Sequence, residues 1–213
     1  MPIAGKGMLL TSMDVDPAHE ADFNRWYDRE HLEERVAIEG FVEARRYVAE
    51  EGAPKYLCLY STEAIEVLDS PAYKTRLANP TEWSKTTMAR FKNMIRAVAR
   101  ITISQGRGRG AALGIRPASG GHDTLREALR TALDPQSADG IVSMHVIESD
   151  PALSGPSTEG AGSGDWFVLI DAIDDSAADL ATRRVTDNFA FKPMVISSGI
   201  YRLLWDIAKA DIS

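Results

Sequence analysis

Tyr27 and His31 are the residues whose types and spacing best suit chemistry. They stand four positions apart in FNRWYDREH, within a predicted helix, so their side chains share one helix face. An imidazole titrates near neutral pH, and with a phenol beside it can move a proton to or from an enolisable carbon or another phenol. The alternative is a histidine favoured at the end of its helix by the helix dipole. We predict His31 and Tyr27 as the catalytic pair.

Other polar and aromatic residues could bind a substrate. Arg45 could hold an anionic or enolate group, with an ion pair to Glu43 or a neighbour as the structural alternative. Tyr47, Tyr60 and Trp26 could line a pocket for an aromatic compound or could belong to the core. His145 lies in the middle of a predicted strand, where a hydrogen-bonded core histidine is the alternative. The predicted substrate-binding residues are therefore Arg45, Tyr47, Trp26, Tyr60 and His145.

The sequence offers few ligands for a metal or a cofactor. The four histidines are scattered, and the one cysteine, Cys58, lies in the strand-like run KYLCLYS as a small hydrophobic residue. GRGRGA precedes a predicted strand where a dinucleotide-binding motif needs a helix. We therefore predict no metal and no cofactor, and leave open only haem with His31 as its axial ligand.

Composition and charge narrow the class of protein. The chain has 213 residues, is 44% hydrophobic and 26% charged, and carries a formal net charge of −7. This balance is typical of a soluble globular protein, and the negative charge argues against nucleic acid and anionic membranes as partners. No apolar run approaches the roughly 20 residues that span a membrane, and the N-terminus does not resemble a signal peptide. We expect a cytoplasmic protein.

The predicted elements occur in the order β-α-β-β-α-β twice. This order is that of a ferredoxin-like unit, and the Gly-rich stretch SQGRGRGA, residues 104–111, separates the two copies. We predict one half over residues 1–105 and a second, diverged half over 106–213. The best register between them aligns Gly40-Phe41-Val42 with Gly140-Ile141-Val142, Arg45 with His145, Tyr56-Leu57-Cys58 with Trp166-Phe167-Val168, and Ile95-Arg96 with Ile200-Tyr201.

Strand alternation predicts how the halves associate. In the second strand, Val42, Ala44 and Val48 should lie under the helices, while Phe41, Glu43, Arg45 and Tyr47 face the other side. A sheet with helices on one side only needs cover on its bare face. The fold prediction is therefore an α+β protein whose two antiparallel sheets pack face to face as an intrachain barrel. The facing residues of the second half would be Ile141, Ser143, His145, Ile147, Tyr201, Leu203 and Trp205.

The spacing F-x-x-W-Y-x-x-x-H, followed by GF and an R-R-Y strand, resembles the EthD-like members of the dimeric α+β barrel superfamily. The matching positions are Phe23, Trp26, Tyr27, His31, Gly40, Phe41, Arg45, Arg46 and Tyr47. The resemblance covers about residues 7–105. It departs after the histidine, where many relatives have a proline and this chain has Leu32-Glu33. The second half lacks the motif, which predicts one site per chain.

The resemblance implies a ligand pocket but no single reaction. The superfamily includes cofactor-independent monooxygenases, polyketide cyclases, muconolactone-type isomerases, haem-handling enzymes and stress-response proteins. We favour a cofactor-independent enzyme of the monooxygenase, cyclase or isomerase type that acts on a small aromatic or polyketide-like compound. The alternative is a non-catalytic ligand-binding or stress-response barrel. A pocket holding His31, Tyr27 and Arg45 together would favour the enzyme. A barrel filled by side chains would favour the alternative. The sequence leaves open whether the protein forms a homodimer.

Overall fold

The first β-α-β-β-α-β unit is formed as predicted. The computed structural model describes residues 3–106, 111–117, 122–132, 134–155, 164–187 and 195–212. The first unit contains β1 (Gly7–Asp14), α1 (Glu20–Trp26), a π-helical turn (Tyr27–His31), α2 (Leu32–Val36), β2 (Phe41–Glu51), β3 (Tyr56–Thr62), α3 (Pro71–Ala78), α4 (Glu82–Met88) and β4 (Lys92–Gly106). A 3-10 turn, Ile65–Asp69, leads from β3 into α3.

The second unit repeats the order with fewer helical segments. It contains β5 (Ala111–Pro117), α5 (His122–Ala132), β6 (Ile141–Ser149), the one-turn helix α6 (Pro151–Ser154), β7 (Trp166–Ala172), α7 (Asp175–Asp187) and β8 (Val195–Ala208). The predicted α+β fold class is confirmed. None of the described helices combines the length and the apolar character needed to cross a membrane.

The two sheets join into one closed barrel of antiparallel strands. The strand order is β1-β3-β2-β8-β5-β7-β6-β4, which closes through the pairing of β4 with β1. Glu43 of β2 pairs with Ala208 of β8, and Ala99 of β4 pairs with Ser149 of β6. The sheets therefore share hydrogen bonds at both junctions in addition to packing face to face. Closure pairs edge strands that would otherwise be free to associate with other chains.

Gly40 and Gly140 occupy equivalent positions before the second strand of each unit. Their φ angles are +82° and +81°, a backbone conformation that favours glycine. The Gly40 carbonyl accepts a hydrogen bond from the Glu63 amide, and the Gly140 carbonyl accepts one from the Ile173 amide, both at 2.9 Å. The pairing of β2 with β3 and of β6 with β7 agrees with the predicted register here.

The predicted register of the last strands was wrong. Gly7 pairs with Thr62 and Ala111 pairs with Ala172, so β1 and β5 are equivalent from these residues onward. One residue further on, Met8 pairs with Ala99 and Ala112 with Tyr201. Tyr201 therefore corresponds to Ala99, not to Arg96. The two strands share too few residue types for alternation alone to set their register.

The barrel interior and the helix-covered face take alternate residues, as predicted. Tyr47, Leu57, Leu59, Phe167 and Leu169 belong to one apolar cluster inside the barrel. Ala44 packs in the cluster under the first unit's helices.

Three residues predicted to face inward lie on the helix side instead. Phe41 and Trp205 pack against the first helical cluster, and Ile141 packs against the second. The register shifts between Phe41 and Glu43, between Ile141 and Ser143, and where Trp205 and Leu203 pair with Arg46 and Tyr47. Each such bulge adds a residue to one strand, which moves the flanking residue to the other face.

Candidate functional site

A cavity lies between the helices of the first unit and the outer face of its sheet. Its volume is about 230 Å³. Its polar lining comes from strands and helices alike: Thr11, Tyr27, His31, Arg35, Tyr60, Tyr73 and Arg96. Its apolar lining includes Leu9, Met13, Met88, Phe91 and Met94. The cavity therefore offers an apolar body with several polar groups, the usual composition of a small-molecule site.

A π-helical turn presents Tyr27 and His31 to this cavity. The Leu32 amide donates to the Tyr27 carbonyl, five residues back, so this hydrogen-bonded turn contains one more residue than an α-helical turn. His31 and Leu32 are consequently both buried, although they are consecutive. This turn is the physical reason for the break in hydrophobic spacing after His31. Such π-turns within helices are frequent at functional sites.

The surroundings of His31 keep its imidazole neutral. The ring stacks on Trp26 with centroids 4.0 Å apart and meets the edge of Tyr27 at 5.1 Å. Burial, together with the charges of Arg35 and Arg46, holds the pKa of His31 well below its usual value of 6.5. The Glu34 carboxylate lies 4.0 Å from Nδ1. A neutral imidazole can accept a proton, and its lowered pKa makes it a weaker base than a free histidine. Glu34, the carboxylate beside it, also pairs with Arg76 at 2.9 Å.

Four buried polar atoms on the cavity lining have no hydrogen-bond partner. They are Thr11 Oγ1, His31 Nδ1, Arg35 Nη1 and Tyr60 Oη. Each such atom costs about 1–3 kcal/mol if it stays unsatisfied in the folded protein, and buried polar groups in native proteins are normally paired. They are four of eleven such atoms among the described residues, and a molecule or water bound in this cavity could supply their missing partners.

Trp26 and Tyr27 are held in place by contacts of their own. Trp26 does not line the cavity; its indole N–H donates to Glu30 at 3.2 Å and to Ser84 at 3.1 Å, which ties α1 to α4. The Tyr27 hydroxyl lies 4.0 Å from the Met13 sulfur, so its contact with His31 is between rings. Burial raises the pKa of Tyr27 well above its usual value, so the phenol stays protonated.

Arg46 supports the same helix from the sheet. Its guanidinium lies 4.4 Å from the centroid of the Tyr27 ring, and its Nη1 is 3.0 Å from Asp28 Oδ1. The Trp205 indole, on β8, donates to that same carboxylate at 2.9 Å. The aromatic and arginine residues of the sequence motif therefore contact one another around α1.

Arg45, Tyr47 and His145 lie inside the barrel, away from His31. Arg45 and Tyr47 alternate with Arg46 on β2 and point to the opposite face of the sheet. The sheet separates Arg45 from His31 and Tyr27, so the pocket holding all three, which would have favoured the enzyme, is not formed. Of the predicted site residues, the structure brings His31, Tyr27 and Tyr60 to the cavity, with Trp26 directly behind.

Arg45 and His145 belong to a buried polar cluster that crosses the barrel. Arg45 lies 3.0 Å from Glu43 and 3.7 Å from Asp171. His145 has Ser143 at 3.0 Å from Nε2 and Ser104 at 3.0 Å from Nδ1. Ser143 in turn donates to Asp171. These side chains pair largely with one another, which favours the structural alternative for Arg45 and His145.

Arg35 and Arg96 are cavity residues that the sequence interpretation missed. Arg35 follows His31 by four residues, and that spacing alone was a signal that both share a helix face. Arg96 gave no such signal. Its guanidinium donates to the carbonyls of Leu153 at 3.2 Å and Ser154 at 2.8 Å, so α6 of the second unit holds it at the cavity.

The residues around His31 do not fit haem. A cavity of about 230 Å³ is smaller than the roughly 300–1,000 Å³ of pockets that bury drug-sized ligands. Within the described ranges, no group of three or more His, Cys, Asp and Glu side chains could hold a metal ion.

Solved structures share this fold. An anthrone oxidase-like protein superposes with a TM-score of 0.66 at 10% identity, covering 99% of this chain and 96% of the other. A candidate monooxygenase from Fusobacterium nucleatum gives 0.62 at 11% identity over 97% and 96% of the two chains. A candidate chlorite dismutase gives 0.60 at 14% over 98% of both. No family model and no curated protein matches the chain. At these identities, the likeness establishes the fold alone: a ferredoxin-like α+β barrel.

Proposed function

We propose that this protein is a cofactor-independent enzyme in which His31 removes a proton from a small aromatic compound bound in the cavity. The observation that carries the proposal is a neutral, buried imidazole on a cavity where four buried polar atoms lack partners. A structural histidine would have its ring nitrogens paired within the protein. The resemblance of FNRWYDREH to the EthD-like motif also supports this use of His31.

The proposed reaction begins with transfer of a proton from an acidic C–H or O–H of the substrate to His31. Glu34, 4.0 Å from Nδ1, stabilises the imidazolium. Arg35 and the Tyr60 hydroxyl, both on the lining, stabilise the substrate anion. An electron-rich anion of this type can react with O₂ directly, which is why no cofactor is required.

Oxygenation is favoured over cyclisation or isomerisation by the names of the structural neighbours. Anthrone, which the name of one neighbour points to, is a compact aromatic ketone with an acidic methylene group. Its oxidation by O₂ converts that methylene to a carbonyl and releases water. Non-catalytic ligand binding is the second candidate. A cluster of buried apolar side chains occupies the barrel interior, which is in keeping with that candidate, but the cavity lies on the opposite face of the sheet.

Oxygen uptake with anthrone tests the proposal. The wild-type protein should consume O₂ above the buffer rate, and His31→Gln should reduce that rate at least tenfold while it keeps the wild-type fold by circular dichroism. His19→Gln is the matched control, since His19 is exposed in the 3-10 turn that precedes α1. Uptake that is unchanged in His31→Gln would refute the role of His31, and ligand binding without any uptake would favour the non-catalytic alternative.

A further inference from the structure

Arg35 is a buried cation without an acidic partner. Only 7% of its surface is exposed, and its Nη1 has no hydrogen-bond partner. The other two deeply buried arginines differ: Arg45 pairs with Glu43 at 3.0 Å and Arg46 with Asp28 at 3.0 Å. Among the described residues, no carboxylate lies within ion-pair distance of Arg35. An uncompensated buried charge is strongly destabilising, so such groups normally have a counter-charge.

The rest of the cavity also lacks negative charge. Arg96, the second cation on the lining, is bound by backbone carbonyls and by the Tyr73 hydroxyl at 3.4 Å. Among the residues described, the hydroxyls of Thr11 and Tyr60 have only Cys58 and Tyr27 as polar neighbours, with no hydrogen bond of normal geometry, and can donate to an oxygen. In the part of the chain that the structure describes, no Asp or Glu lines the cavity. A ligand with a negative charge therefore meets two cations and two hydroxyl donors.

The body of the ligand must be apolar. Phe91, Met88 and Met94 also line the cavity. Methionine side chains adapt their shape to aromatic rings and make favourable contacts with them.

We infer that the ligand of this cavity is an aromatic anion, a carboxylate or phenolate on a ring, whose charge Arg35 binds. The inference rests on the proposed function in placing the ligand beside His31, and it adds that the natural ligand carries a charged substituent, which anthrone lacks, besides the C–H or O–H that His31 deprotonates. A guanidinium matches a carboxylate with two parallel hydrogen bonds, whereas a lysine presents only a point charge.

Paired probes that differ only in charge test this inference. Naphthoate and naphthamide, substituted at the same ring position, are titrated into the wild-type protein by calorimetry. Naphthoate should bind about tenfold or more tightly than naphthamide, as a charge-assisted pair requires. Arg35→Met should abolish that preference, and Arg35→Lys should restore only part of it. Arg29→Met, which removes an exposed charge from the same helix, should keep the wild-type preference.

A second measurement reports on the folded protein without any ligand. Arg35→Met replaces the unpaired cation by an apolar chain of similar length, so it should raise the Tm by about 2 °C or more. Equal binding of the two probes, absence of naphthoate binding, or a preference that survives in Arg35→Met would overturn the inference. These outcomes are distinct from failure of the proposed function, because binding is measured without turnover.

Discussion

His31 should make stability depend on pH. The pKa of its imidazole is well below 6.5 in the folded protein, chiefly because of burial, and returns to about 6.5 on unfolding. Below pH 6.5 the unfolded chain binds a proton that the folded chain does not. The free energy of unfolding should therefore have its full value above pH 6.5. Below pH 6.5 it should fall by up to about 1.4 kcal/mol for each pH unit.

The measurement is urea unfolding between pH 5 and pH 8. His31→Gln should flatten the slope below pH 6.5, while His19→Gln, at an exposed position, should keep it. An unchanged slope in His31→Gln would show that the folded protein does not hold His31 neutral.

Asp171 should matter more for stability than a surface carboxylate. It lies 3.7 Å from Arg45 and accepts a hydrogen bond from Ser143, with 2% of its surface exposed. Asp171→Asn should cost about 3–5 kcal/mol, since it removes a charge from a buried network. Glu50→Gln, which breaks the exposed pair with Arg202, should cost at most about 1 kcal/mol. Chemical denaturation measures both, and equal costs would contradict a structural role for the cluster.

At the scale of elements, the turns before β2 and β6 should be intolerant of a side chain. A Cβ on Gly40 would lie 2.6 Å from a Val67 methyl, and one on Gly140 would lie 2.8 Å from the Ala177 Cβ. Gly155 has a similar φ of +71°, but a Cβ there would meet nothing within 4 Å. Gly155→Ala should cost about 1–3 kcal/mol for its backbone, whose φ of +71° and ψ of +169° are adopted almost only by glycine. Gly40→Ala and Gly140→Ala should each destabilise the protein more than Gly155→Ala does. Thermal unfolding measures all three, and equal costs would show that the turns are loosely packed.

Element order followed from the sequence, whereas local irregularities did not. Alternation and helical spacing identified both units and placed Arg45 and Tyr47 on the same sheet face. The bulges beside Phe41, Ile141 and Trp205 reversed the predicted face of those residues, because one added residue changes the parity of a strand. The π-turn at Tyr27–His31 was visible only as a break in spacing after His31.

The candidate site was predictable only in part, for a reason of geometry. His31, Tyr27 and Tyr60 share the cavity because each lies on the helix-facing side of the first unit. Arg45 was grouped with them by residue chemistry, but a sheet lies between them. Arg96 is held by the carbonyls of Leu153 and Ser154, a contact between distant parts of the chain that no local pattern reveals.

At the scale of the molecule, we propose that residues 1–105 and 106–213 fold only together. Separation would expose β2 and β4 of the first half, which pair with β8 and β6 in the barrel. Unpaired edges of this length promote association. The full chain should unfold in a single calorimetric transition, and residues 1–105 alone should self-associate in the ultracentrifuge. A monomeric, folded 1–105 fragment would contradict this prediction.

Deuterium exchange at the methylene group of anthrone tests the central claim most directly. It detects proton removal by His31 whether oxygenation, cyclisation or isomerisation follows. Under anaerobic conditions in D₂O, the wild-type protein should accelerate the exchange seen by proton NMR. His31→Gln should return it to the buffer rate, and His19→Gln should leave it accelerated. Exchange no faster with wild-type protein than in buffer, or equally fast with His31→Gln, would contradict the account of His31 as the base of this cavity.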